Sequence, residues 1–177
     1  ADDAIARRVE DQLVELLITP DPAEANQYQA RVLNSPAGQG STRFVNPFSA
    51  DEIATILSAQ PASPIGSPDG LTPQQVGERL FNALFSGSLF TLLVSSLALT
   101  RKEGAGLRLS LRLNETPELA ALPWEYLYGT GEIGFLALSA HTPIVRFPEI
   151  MAAIAPIQVQ LPLRILAVIS APQDVAR

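Results

Sequence analysis

Hydrophobic and polar positions alternate most cleanly between Leu107 and Asn114. Leu107, Leu109, Leu111 and Leu113 share one face, and Arg108, Ser110, Arg112 and Asn114 share the other. Period-two alternation predicts a half-buried strand. A short helical turn is predicted next, with Thr116 as N-cap and Pro117 at the first helical position. The stretch closes on Leu122-Pro123-Trp124-Glu125-Tyr126-Leu127-Tyr128, an apolar, aromatic knot that holds the only Trp and two of the three Tyr. This knot is the predicted centre of the core.

Upstream, residues 1–12 are polar and acidic and read as a loose helical turn. Leu13 to Thr19 is apolar and ends at Pro20, which suits a strand or a last helical turn. The strand is preferred, because Asp21-Pro22 and Asn26 then form a loop to a second strand-like run, Tyr28 to Asn34. Tyr28, Ala30 and Val32 share a face there. Ser35 to Gly40 is a turn signal, and Ser41 to Phe48 returns as a third strand. The pattern predicts an antiparallel meander.

The period then changes. Ser49 with Glu52 forms a capping box, followed by an apolar stripe of Ile53, Ile56 and Leu57. Residues 58–71 hold three prolines and two glycines and read as a surface loop or linker. Thr72, Pro73 and Gln75 cap a second helix, whose stripe runs through Val76, Leu80, Leu84, Leu89, Leu92, Leu93 and Leu97. Gly87 is a weak point, so two helices meeting at Ser86-Gly87-Ser88 are an alternative. Arg101 and Lys102 suit the C-terminal pole, and Gly104 is a stop.

After the knot, Gly129 to Gly134 reads as a turn, and Phe135–Ser139 and Thr142–Phe147 as short strands. Residues 148–162 read as a connection. Leu163 to Ser170 is apolar almost without alternation, the pattern of a parallel strand covered on both faces. Such a strand, so near Arg177, leads us to expect the helix and strands it needs beyond that residue. The opening Ala1-Asp2-Asp3 reads as a trimmed or excised start, with no signal peptide in the residues given.

Composition narrows the classes. At 47% hydrophobic and 17% charged, the chain can bury a sizeable core. Its net charge of −6 opposes binding to duplex DNA or to an anionic membrane. Without Cys there is no disulfide, thiolate nucleophile or Cys-based metal site. Residues 80–100 carry no charge, and their length alone would span a bilayer. Asn82 and several Ser dilute the run, and the Thr72 cap is that of a water-soluble helix. A buried or interface helix is therefore expected. Phe81, Phe85, Phe90, Val94 and Ala98 widen its apolar surface beyond one stripe, which predicts a partner domain or chain.

The remaining motifs are weak. Gly129-x-Gly131-x-x-Gly134 matches the dinucleotide pattern, but a strand-like run follows it and Glu132 would repel phosphate, so a hairpin turn is expected. Gly38-x-Gly40-Ser41-Thr42 lacks the phosphate-loop Lys and also reads as a turn. His141, the only His, would need Ser139 or Ser170 and an orienting carboxylate to act as a base; a structural or surface role is expected. Arg108 and Arg112 could pair with carboxylates of a neighbouring strand or helix, but an ordinary solvated face is expected.

The runs LRLSLRLNETPELAALPWEYLYG, GFLALSAHTPIVRF and LPLRILAVISAP resemble bacterial CHAT domain proteins, which are caspase-like cysteine peptidases. YQARVLNSPAGQGSTRFVNPFS and GERLFNALFSG resemble the part that precedes the peptidase. The similarity covers most of residues 28–172, and the Pro-Trp-Glu-x-Leu-Tyr knot with the following Gly-Phe-Leu-Ala-Leu-Ser is its most specific element. It implies a mixed α/β fold: the antiparallel meander plus a caspase-related sheet flanked by helices. Residues 1–161 would be a non-catalytic, pseudo-caspase-like region, and 162–177 would open the catalytic unit. The family's catalytic His and Cys follow that strand and have no counterpart here, so no catalytic, cofactor-binding or metal-ligating residue is assigned. The chain departs from the resemblance over Leu89–Thr100, where charged residues are expected. The implied protein is cytoplasmic. Its implied partner is the downstream caspase-like domain or another protein chain, including a second copy, with neither nucleic acid nor membrane.

Overall fold

Three consecutive strands form the meander: β1 (Gln12–Pro20), β2 (Gln27–Asn34) and β3 (Ser41–Val45), each antiparallel to the next. The computed structural model describes residues 11–58 and 71–147. Most of the predicted 58–71 loop, the 148–162 connection, the Leu163–Ser170 strand and the 161/162 boundary lie outside the described residues. β4 (Leu107–Arg112) joins β1 in parallel, and β7 (Ile144–Arg146) joins β4 in parallel. The order is β3-β2-β1-β4-β7, so the meander and the alternating strand belong to one mixed sheet. The fold is mixed α/β.

Alternation decides which face is covered. Val14, Leu16 and Ile18 of β1, Tyr28, Ala30 and Val32 of β2, and Leu107, Leu109 and Leu111 of β4 are all buried on the inner face. Helices α1 (Ala50–Ser58), α2 (Pro73–Leu84) and α3 (Ser88–Glu103) supply residues to the same core. The outer face mixes half-buried Leu13, Leu17 and Leu33 with ion pairs. Arg112 Nε lies 2.8 Å from Glu15 on β1, and Arg108 lies 3.6 Å from Asp11. The Arg112 guanidinium also covers the Phe147 ring at 4.7 Å. Arg112 departs from the solvated face expected for the two arginines, because the parallel register of β1 and β4 sets it beside Glu15, whereas Arg108 stays more than half exposed.

Local spacing sets the helix starts. Ser49 and Glu52 exchange backbone and side-chain hydrogen bonds of 2.9 and 3.2 Å, and Thr72 and Gln75 do the same. The α1 stripe is narrower than expected. Ile53 and Ile56 touch the core, but Leu57 is 53% exposed.

Three boundaries differ from the pattern. β3 stops at Val45, where Asn46 turns the chain by accepting the Phe48 N–H at 3.1 Å. Thr116 precedes α4 (Pro117–Ala120), yet its hydroxyl donates back to the Leu113 carbonyl and caps nothing. The run Phe135–Ser139 is not a strand. Leu136 N–H still donates to the facing Leu127 carbonyl at 3.1 Å, one step past the short hairpin of β5 (Tyr128–Gly129) and β6 (Gly134–Phe135), but the Leu136 carbonyl then accepts Ser139 N–H at 3.2 Å. Leu136–Leu138 then winds into a 3-10 turn.

The knot is central, as expected. Leu119, Leu122, Trp124 and Leu127 are buried. The Trp124 indole N–H donates to the Leu119 carbonyl at 2.7 Å, so the ring is buried without a polar cost.

Tyr28 links this region to the meander. Its hydroxyl donates to Glu118 at 2.8 Å. Burial, then the hydrogen bond and negative charge of Glu118, pushes its pKa from 10.0 up to about 12. The folded state therefore holds this proton more tightly than the unfolded chain. That contribution is complete below pH 10 and is lost as pH rises towards 12. Alkaline titration followed by phenolate absorbance should show a transition near 12 that Tyr28→Phe removes. The substitution should cost about 1 kcal/mol at neutral pH. A wild-type titration with no component near 12 would overturn the assignment.

Candidate interaction surface

The uncharged run breaks where Gly87 breaks it. Gly87 adopts φ +54°, and α2 and α3 are bent by 107° where they meet. Among the described residues no single helix is long and apolar enough to cross a membrane.

The bend sorts the apolar side chains. α2 buries both the predicted stripe and Phe81, while Phe85 at its C-cap is buried beside Phe81 with ring centroids 5.0 Å apart. α3 buries Leu89, Leu92 and Leu93, and Leu97 is half-buried. Ser96 and Thr100 are also buried on that side; the Thr100 hydroxyl donates to the Ser96 carbonyl at 3.0 Å. The opposite side of α3 stays open. Phe90 is 43% exposed and Val94 41%, and Ala98 is exposed with them. Of the five residues expected to widen the apolar surface, Phe90, Val94 and Ala98 face outward, while Phe81 and Phe85 belong to the core. Leu99 is exposed as well, but about 180° round α3 from Phe90 and so apart from that strip.

At the C-terminal end of α3 the strip runs into a cleft of about 250 Å³. Leu97, Thr100 and Arg101 of α3 form one wall, Gly104 and Ala105 the floor, and Ser139, His141 and Thr142 the other wall. Gly104 closes the helix in the left-handed conformation, as expected, and its N–H returns to the Arg101 and Thr100 carbonyls. The His141 carbonyl accepts Leu107 N–H at 2.6 Å, which ties the far wall to the start of β4. Next to the cleft, Leu138 is 84% exposed.

The chemical motifs resolve into structure. Gly129 to Gly134 forms the β5–β6 hairpin, with Gly131 and Gly134 at positive φ. Gly38 and Gly40 lie in the β2–β3 turn, where the Ser35 hydroxyl donates to the Gly38 carbonyl. His141 and Ser139 are neighbours, but their hydrogen bond runs from the His141 backbone N–H to the Ser139 hydroxyl at 3.1 Å. The ring takes no part in it, so no proton relay is formed; Ser170 lies outside the described residues. Among the described residues no group of three His, Cys, Asp or Glu side chains converges to hold a metal ion.

Comparison with family models, curated proteins and solved structures gives no match for this chain.

Proposed function

We propose that this chain is the non-catalytic N-terminal portion of a CHAT-type, caspase-like cysteine peptidase, acting in the bacterial cytoplasm as the scaffold or regulatory half for the peptidase unit. The outward apolar face of α3 carries the reading. Phe90, Val94 and Ala98 form a charge-free strip on a helix whose other side is already in the core. An amphipathic helix has no need of such a second apolar side unless something covers it. The resemblance of the Pro-Trp-Glu-x-Leu-Tyr knot supplies the identity of the neighbour. The same strip supports a second reading, a stand-alone protein-interaction module.

The coding region separates the two. Beyond Arg177 it should continue with alternating strands and helices that carry a His near one strand end and a Cys near the next. The purified chain should cleave no peptide, and the longer protein should. Val94→Asp should reduce that peptidase activity by at least about tenfold if α3 holds the two units together, since one unpaired buried charge costs several kcal/mol. A stop codon directly after Arg177 would remove the peptidase reading and leave the interaction module.

A further inference from the structure

The strip and the cleft share one helix. Phe90, Val94 and Ala98 descend the outer side of α3 at four-residue steps, and Arg101 continues the line into the cleft. At that end Arg101 and Lys102 precede Glu103, whose carboxylate accepts from Gln12 Nε2 at 3.3 Å and pairs with neither cation. Arg43, Arg79, Arg108, Arg112 and Arg146 each engage a carboxylate. Among the described residues Arg31, Arg101 and Lys102 engage none, and of these only Arg101 lines the cleft. Across the cleft, Ser139 accepts the His141 backbone N–H and keeps its own proton to donate. The cleft therefore joins an apolar wall, Leu97 and Ala105, to donor groups without an acid.

A second copy of the chain leaves this imbalance in place. An antiparallel pair of α3 helices centred on Val94 sets Arg101 opposite Gly87, and the first turn of α3 there carries no acid. A parallel pair sets Arg101 against Arg101.

The geometry points to one docking surface for an amphipathic helix of a separate protein unit: its apolar face covers Phe90, Val94 and Ala98, and a carboxylate about one turn beyond enters the cleft to meet Arg101 and Ser139. This rests on reading the α3 face as a contact surface, and it adds the chemistry of the partner. Each element has a separate role. The strip supplies non-directional burial, and the cleft fixes the register and direction of the incoming helix.

A display library of helix-biased peptides of roughly 20 residues, long enough to hold a helix, tests this on the whole chain. Enriched peptides should repeat apolar residues at three- and four-residue steps and carry Asp or Glu beyond them. Arg101→Gln in the protein should weaken binding about tenfold. Replacing that acid by its amide in the peptide should do the same, and the two changes together should cost little more than either alone. Far-UV circular dichroism checks that each variant is folded. Val94→Asp should abolish binding; if it does while Arg101→Gln changes nothing, the carboxylate cleft is wrong and the α3 contact stands. Binding unaffected by both variants overturns both. Failure to enrich any peptide over the Val94→Asp protein overturns the proposal, as does a wild-type dimer in light scattering that Val94→Asp dissolves.

Discussion

Trp124→Ala should destabilise the protein by ~3–5 kcal/mol. Trp124 is only 1% exposed and sits among Leu119, Leu122 and Leu127, each fully buried. Removing the indole leaves a cavity between the 3-10 turn Trp124–Tyr126 and the elements packed on it, α2 among them. Such a lining collapses poorly, because each element is held by its own backbone bonds, including Leu122 N–H to the Leu119 carbonyl at 3.1 Å and Leu127 N–H to Trp124 at 3.1 Å. A domain of this size is stable by ~5–15 kcal/mol, so the loss is a large share of the whole. Urea unfolding followed by far-UV circular dichroism measures it without the deleted fluorophore. Trp124→Phe separates packing from hydrogen bonding. It keeps an aromatic ring, and the Leu119 carbonyl retains the Leu122 N–H as a partner, so it should cost well under the Ala figure. A change below ~1 kcal/mol for Trp124→Ala would place the core elsewhere.

The position of the knot was legible because its cause is local: apolar and aromatic residues crowd one short run after an alternating strand. The two capping boxes were legible for the same reason. Ser49 with Glu52 and Thr72 with Gln75 make reciprocal bonds across three residues, so spacing suffices. What the pattern missed depends on tertiary register. Arg112 meets Glu15 only because β1 and β4 pair in parallel, an alignment of strands far apart in sequence. The run after Phe135 reads as strand because nothing in an apolar run shows that the Leu136 carbonyl will take the Ser139 N–H and wind the chain into a 3-10 turn. For the interaction surface, the charge-free run from residue 80 to 100 signalled an excess of apolar area. It did not show that the bend at Gly87 would let α2 bury Phe81 and Phe85 and leave the excess on α3 alone. The carboxylate cleft was not legible, since Arg101 and His141 come together only through the contact between the end of α3 and the chain before β7.

Gly77→Ala should also be strongly destabilising, although helix propensity argues the other way. Gly77 lies inside α2, where Ala is favoured over Gly by about 1 kcal/mol. The residue is buried, and a Cβ built on it falls 1.7 Å from the Tyr126 carbonyl oxygen and 3.0 Å from the Tyr128 Cβ. The obstacle is backbone, so no side-chain rotation relieves it. Nor can the 3-10 turn retreat freely. Tyr126 N–H is bonded to the Pro123 carbonyl at 3.0 Å, and its neighbours Trp124 and Leu127 are anchored in the core. Making room means lifting α2 off the knot, and the burial of Val76, Leu80 and Phe81 goes with it. Overpacking usually costs 1–3 kcal/mol; an unyielding backbone neighbour puts this site at ~3 kcal/mol or more, well above the propensity gain. The melting temperature should fall by roughly 6–12 °C for a chain of this length. Asn82→Ala, at an exposed position of the same helix, is the matched control and should be neutral or slightly stabilising. If Gly77→Ala behaved like Asn82→Ala, α2 would not approach the knot as closely as the Tyr126 contact requires. The α3 surface, which hangs from the far side of the same bend, would then lose the rigid platform that a docking partner needs.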